Sequence, residues 1–172
     1  MTTPERTVID LAGSVSAEQL EIAFESARRE RWLTVTSVER ALARVETRGR
    51  DGSRVLQQLL ATLASEPPAE SALEVMTARV LRASGLPKPQ RQVEVVAGGA
   101  SYRLDFAWPR ALVALECDGR TWHEAAFERD RRRWSAIQAS TGYRIVLATW
   151  LSITEQPDQI VAELRQMLSK AA

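Results

Sequence analysis

An almost unbroken apolar run that ends in two acids, ALVALECDG at residues 111–119, decides the fold of this chain. A run of this kind is typical of a strand buried on both faces, and it predicts a strand over residues 111–117. A helix predicted over residues 124–139 leads to a further strand over residues 143–148. That helix can serve as a crossover, which would make the two strands it connects parallel.

Further strands and helices are predicted on either side of this run. Strands over residues 92–96 and 102–108 flank the glycine pair at 98–99, which is a hairpin signal. An amphipathic helix over residues 69–83 precedes them, and another follows Pro157. The order α-β-β-β-α-β-α predicts an α/β fold with a mixed sheet and helices against its faces.

The sequence before this region is all helical in pattern. A capping residue and a proline at positions 3–4 predict one helix start. Ser16 with Gln19, and Thr36 with Glu39, have the spacing of capping boxes and predict two more. Helical apolar spacing resumes over residues 55–63, so we predict four helices in this part.

The best boundary candidate is the segment SEPP at residues 65–68, because two consecutive prolines cannot lie within a helix. We therefore predict a helical subdomain over residues 1–66 and an α/β domain over residues 67–172.

Composition excludes several classes of protein. The 172 residues are 45% hydrophobic and carry a net charge of +1, which argues against disorder and against histone-like binding of nucleic acid. One cysteine and one histidine exclude an intrachain disulfide and the usual zinc sites. No apolar stretch reaches the length of a membrane span, and the N-terminus is charged, so we expect a soluble cytoplasmic protein without membrane contact.

Acidic residues are concentrated around the predicted third strand. Glu116 and Asp118 are two residues apart, so in an extended chain they project to the same face. Asp105 lies in the neighbouring strand, and Glu74 lies on the preceding helix. Carboxylates held close together repel one another unless a proton or a cation lies between them, and Mg²⁺ or Mn²⁺ prefers oxygen ligands.

The alternative is a structural role for these acids. Asp105 would bind an arginine such as Arg103 or Arg110, and Asp118 with Gly119 would form a turn. This alternative is weaker for Glu116 and Asp118, because a buried strand rarely ends in two acids on one face.

Proton transfer and phosphate binding are predicted for residues that follow the acids. Histidine is the side chain best suited to proton transfer near neutral pH, so His123 is a candidate acid or base. Arg129, Arg132 and Arg133 fall on one side of the predicted helix and, with Arg120, suit phosphate geometry. The alternatives are a structural histidine and a solvated helix face paired with neighbouring acids.

The arrangement resembles the PD-(D/E)xK nuclease fold, a restriction-endonuclease-like α-β-β-β-α-β core with an acid on the second strand and an acid pair on the third. More narrowly, residues 69–170 resemble the endonuclease-like family related to very-short-patch-repair enzymes. The matching blocks are YRLDFAWP at 102–109, LECDG at 115–119, His123, DRxR at 130–133 and GYRIV at 142–146.

This resemblance implies that Asp105 and Glu116 are metal ligands, together with the carbonyl of Cys117 and with Glu74 as the helix acid. Asp118 stands where the superfamily has its lysine, although related families share the acid followed by Asp-Gly. His123 or an arginine would supply the missing donor. Leu104 replaces the proline of the motif, which is a minor departure.

The N-terminal helices resemble the tail of an AbiEi-type antitoxin or regulator domain, through the block ERTVIDL at residues 5–11. Two hypotheses follow for the whole chain. The first is a Mg²⁺- or Mn²⁺-dependent DNA endonuclease in repair or defence, with Asp105, Glu116, Asp118 and His123 as catalytic residues. The second is a catalytically inactive, antitoxin-like protein that binds DNA. A homodimer, and a partner protein bound through the N-terminal helices, remain open in both.

Overall fold

Helices form the N-terminal part of the chain. The computed structural model describes residues 2–45, 52–119 and 124–170, with the backbone alone over 124–130. Within these residues the N-terminal helices are α1 (Pro4–Leu11), α2 (Ala17–Arg29), α3 (Val35–Ala43) and α4 (Ser53–Leu63). The four predicted helices are therefore confirmed.

Side-chain caps fix where these helices begin. Ser16 Oγ accepts from Gln19 N at 3.2 Å, and Gln19 Oε1 accepts from Ser16 N at 3.1 Å, so the predicted capping box is confirmed. The box predicted at Thr36 and Glu39 is wrong. Helix α3 is capped by Thr34, whose side chain accepts from Ser37 N at 3.0 Å, and Thr36 already lies inside the helix.

The apolar faces of these helices form one core. Leu20, Phe24, Val38, Leu56 and Leu63 are all almost completely buried in it. Burial of side chains of this size contributes about 1.5–3 kcal/mol each, which is the main stabilisation available to helices this short.

A buried ion pair attaches the loop after α4 to α2. Arg28 Nη1 donates to Glu25 Oε1 at 3.0 Å, and both side chains are at most 10% exposed. Arg28 also donates to the carbonyl of Glu66, and Glu25 accepts from the backbone N–H of Ala69. The loop around the proline pair is thus bonded to the helical part of the chain.

Two compact units divide the chain, Met1–Val75 and Met76–Ala172. The sequence places the boundary earlier, between residues 66 and 67. The bonds from α2 to the loop explain why residues beyond the proline pair belong to the first unit.

A four-stranded sheet forms the centre of the second unit. Its strands are β1 (Gln90–Ala97), β2 (Ala100–Trp108), β3 (Val113–Asp118) and β4 (Arg144–Thr149), in the order β1-β2-β3-β4. The first two pairings are antiparallel and the pairing of β3 with β4 is parallel. The protein is therefore a mixed α/β protein with a mixed sheet, as the sequence predicts.

Turn chemistry sets two of the strand ends. Gly98 and Gly99 have φ values of 58° and 82° between β1 and β2, so the hairpin is confirmed. The third strand begins at Val113, later than predicted, because Pro109–Ala111 forms a 3₁₀ turn and Leu112 follows it with a φ of 50°.

The remaining helices are α5 (Ala72–Ala83), α6 (Glu124–Thr141), α7 (Trp150–Glu155) and α8 (Pro157–Ser169). Helix α6 is the crossover between β3 and β4, as predicted. Helix α7 is absent from the prediction; Thr149 starts it by accepting from Ser152 N at 3.2 Å. None of the described helices combines the length and apolar character needed to cross a bilayer.

Candidate functional site

Strands β2 and β3 separate at the position of the two central acids. Their described pairing runs from Trp108 and Val113 to Phe106 and Leu115, and the next residues along the two strands are Asp105 and Glu116.

Side chains take the place of the ladder hydrogen bonds at this point. Asp105 N donates to Glu116 Oε1 at 3.1 Å, and Cys117 N donates to Asp105 Oδ2 at 2.8 Å. Each carboxylate therefore accepts a backbone N–H from the other strand. These crossed bonds tie each carboxylate to the backbone of the neighbouring strand at the point where the described pairing ends.

An arginine from the crossover helix reaches the same place. Arg133 Nη2 donates to Glu116 Oε2 at 2.7 Å and to the carbonyl of Arg103 at 2.8 Å. The Glu116 side chain is only 5% exposed, whereas the Arg133 side chain is 28% exposed. The negative charge of a nearly buried carboxylate is thus compensated by a guanidinium that still touches solvent.

The end of β3 carries the other two predicted site residues. Cys117 and Asp118 pair with Ala148 and Thr149 of β4, and both are half-buried. Alternation along the strand puts Asp118 on the same side as Glu116. The Cys117 thiol donates to the hydroxyl of the buried Thr77 at 3.4 Å.

Glu74 lies at the start of α5, within the first unit. It is 4% exposed. Its Oε2 accepts from Glu70 N at 3.1 Å, and Ser71 Oγ accepts from Glu74 N at 3.1 Å. These bonds satisfy backbone N–H groups at the start of α5, which gives the buried carboxylate a structural function of its own.

Three predicted residues fall outside what is described. Arg120 and His123 lie outside the described residues, and of Arg129 only the backbone, in α6, is described. Arg132 is exposed on α6.

Sequence reasoning missed the contact of Arg133 with Glu116 and with the Arg103 carbonyl. It assigned Arg133 to DNA instead, on the spacing of the arginines along the helix. The one signal available was topological, since a crossover helix must pack on the sheet whose strands it connects and so brings some of its side chains to them.

The donor set of this site suits a hard divalent cation. Mg²⁺ is commonly held by one or two carboxylates and retains several waters, and Asp105 and Glu116 supply two carboxylates at one point of the sheet. The Cys117 carbonyl belongs to the same strand end. Among the described residues, no group of three or more His, Cys, Asp or Glu side chains is placed so that it could hold a metal ion.

Comparison with known proteins gives relatives without a stated function. No family model matches the chain, and no solved structure matches it. Two uncharacterized proteins of Mycobacterium tuberculosis, from strains CDC 1551 and H37Rv, are each 30% identical to it over 173 residues. The alignments cover 99% of this chain and 62% of each relative, so the chain spans about three fifths of their length.

Proposed function

We propose that the second unit is a nuclease domain that hydrolyses phosphodiester bonds in DNA with the help of Mg²⁺ or Mn²⁺. The observation that carries the proposal is the pair Asp105 and Glu116, cross-bonded where β2 and β3 separate. Two carboxylates held together in this way repel one another unless positive charge is near. Arg133 contacts Glu116, whereas a cation bound by both carboxylates would compensate the two together, which supports a metal site here.

The proposed core is that of a restriction-endonuclease-like fold, in the family related to very-short-patch-repair enzymes. The order α5-β1-β2-β3-α6-β4 and the parallel pairing of β3 with β4 support it. The acids at the separation of β2 and β3 are those that the motif of the family would use.

In this proposal Asp105, Glu116 and the Cys117 carbonyl, all in the second unit, hold the metal. When bound, a divalent cation polarises a phosphate oxygen and lowers the pKa of a bound water. Asp118 cannot bind a phosphate as the lysine of the motif would, because a carboxylate and a phosphate repel one another. It is proposed as a proton acceptor, and His123 as a second group for proton transfer.

DNA is the proposed substrate because arginines follow the acids in sequence. Arg120, Arg129 and Arg132, with Arg133, would hold backbone phosphates, a contact that is independent of sequence and weakens with salt. A role in repair or defence, a cytoplasmic location and a homodimer belong to the same proposal.

Cleavage of supercoiled plasmid with Mg²⁺ or Mn²⁺ tests the proposal. Alanine is a poor choice at the two acids, because it also removes an acceptor for a backbone N–H. Asp105→Asn and Glu116→Gln keep an oxygen acceptor and remove the charge. The rate of plasmid cleavage should fall at least about 100-fold in each variant, since the metal loses a charged ligand. Glu163→Gln, at an exposed position of α8, is the matched control and should cleave like the wild type. Cleavage that survives both acid variants would rule out the assignment.

A second candidate is a non-catalytic protein on the same fold, an antitoxin-like regulator that binds DNA or a partner protein through the N-terminal helices. The contact of Arg133 with Glu116 favours it, because the guanidinium already compensates that carboxylate. The aspartate in the position of the lysine favours it as well. DNA binding that is unchanged by chelation, without cleavage of single-stranded, mismatched or branched DNA, would support this candidate over the nuclease.

A further inference from the structure

Arg133 is held by one of its two terminal nitrogens. Nη2 donates to Glu116 Oε2 at 2.7 Å and to the Arg103 carbonyl at 2.8 Å, which uses both of its hydrogens. The side chain reaches from α6 to the separated strands, and 28% of it is exposed. The guanidinium can therefore leave this position without crossing a closed core.

The Glu116 carboxylate requires a nearby positive charge, which either a guanidinium or a metal ion can provide. Its side chain is 5% exposed, one of its oxygens accepts from Arg133, and the other accepts the backbone N–H of Asp105. A nearly buried carboxylate next to a second carboxylate is costly without compensation. In the structure the guanidinium provides that compensation.

A divalent cation on Asp105 and Glu116 would provide the same compensation and would lie close to Arg133. Two positive charges a few ångströms apart repel strongly where solvent is largely excluded. The metal and the Arg133 guanidinium would then both bind the Glu116 carboxylate, although either one is enough to compensate its charge.

We propose that Arg133 is the exchangeable counter-cation of Glu116, which competes with the metal for this carboxylate and sets the affinity of the site. The inference rests on the proposed metal site and adds its regulation. When metal enters, Arg133 releases Glu116 and the Arg103 carbonyl. When metal is absent, Arg133 remains bound to the protein and is not available to a DNA phosphate.

Calorimetric titration with Mn²⁺, in the absence of DNA, tests this competition. Arg133→Gln should bind Mn²⁺ at least about tenfold more tightly than the wild type, because one nearby positive charge is removed and Glu116 is released. Arg131→Gln is the matched control: it removes the same charge from an exposed position of the same helix, and it should bind like the wild type. Adding Glu116→Gln to Arg133→Gln should abolish the gain.

The outcomes separate this inference from the proposed function. Wild-type binding of Mn²⁺ with equal or weaker binding by Arg133→Gln overturns the competition and leaves the metal site intact. An equal gain in Mn²⁺ affinity in Arg131→Gln also overturns the competition, because the gain would then come from the lower net charge of the protein and not from the release of Glu116. Absence of Mn²⁺ binding in every variant at millimolar concentration overturns the metal site and the competition together.

Thermal unfolding with and without Mn²⁺ provides a second measurement, should Arg133→Gln fold poorly. A ligand stabilises the folded state more when its affinity is higher, so Mn²⁺ should raise the Tm of Arg133→Gln more than that of the wild type. A variant that unfolds in EDTA and recovers with Mn²⁺ supports the exchange. A variant that stays unfolded with Mn²⁺ overturns it, because the metal should replace the guanidinium.

Discussion

Substitution of Glu116 distinguishes its role as an acceptor of hydrogen bonds from its negative charge. Glu116→Ala removes the partner of a half-buried backbone N–H, that of Asp105, which costs about 1–3 kcal/mol. It also removes the ion pair with Arg133. Because that guanidinium is 28% exposed and can regain water, we assign this pair about 1 kcal/mol. The expected loss is therefore about 2–4 kcal/mol in the free energy of unfolding.

Glu116→Gln keeps an oxygen that can accept one of the two hydrogen bonds, and it removes the charge. It should lose only about 1 kcal/mol, the difference between a charge-assisted and a neutral hydrogen bond. The order of stability is then wild type, Glu116→Gln, Glu116→Ala.

Urea unfolding in EDTA, followed by tryptophan fluorescence, measures this order. Trp108, Trp122, Trp134 and Trp150 lie in the second unit and only Trp32 lies in the first, so the signal reports mainly on the unit that contains the site. With a denaturant slope of about 2 kcal/mol per molar, Glu116→Ala should lower the midpoint by about 1–2 M and Glu116→Gln by about 0.5 M.

Two results would refute this reasoning. If Glu116→Ala is as stable as the wild type or more stable, repulsion between the carboxylates outweighs the bonds that they make. If Glu116→Gln loses as much as Glu116→Ala, charge decides the effect and the hydrogen bond to the strand does not.

Three further predictions concern residues outside the acid pair. Gly52→Ala should lower the free energy of unfolding by more than about 2 kcal/mol, since Gly52 has a φ of 81° and a Cβ would overlap a carbonyl at the end of α1. Gly142→Ala, with a φ of 74° but a Cβ in ordinary van der Waals contact with Leu112, should lower it by about 1 kcal/mol, as measured by thermal unfolding. Arg28→Ala should cost about 3 kcal/mol by removing the cation beside the buried Glu25, and a loss below about 1 kcal/mol would contradict this. Burial raises the pKa of Tyr143. Its titration, measured by ultraviolet absorbance as the difference between wild type and Tyr143→Phe, should therefore occur above the usual pH. The stability that the neutral side chain contributes should be lost as pH rises through that higher pKa.

Much of the fold follows from features within a few residues of one another. The capping box of Ser16 and Gln19 and the glycine pair of the hairpin act over three or four positions, and the structure confirms both. The apolar run that ends in Glu116 predicts the buried strand, because a strand covered on both faces has apolar side chains at successive positions. The mixed sheet follows from a helix of crossover length between two strands.

Local competition between similar signals explains the errors. Thr34 and Thr36 both stand three residues before a polar side chain, so the spacing does not distinguish them, and in the structure Thr34 caps α3. Helix α7 is six residues long, too short for apolar periodicity to identify.

The sequence by itself determined most of the elements, their order and the acids that lie at the end of the apolar strand. The tertiary structure decided where β2 and β3 separate, that the carboxylates of Asp105 and Glu116 take over the ladder bonds there, and that Arg133 compensates one of them. Elements depend on neighbours along the chain, which a sequence displays directly. The partner of a carboxylate depends on how a crossover helix packs on its sheet, and that packing joins residues far apart in sequence through contacts that no local pattern records.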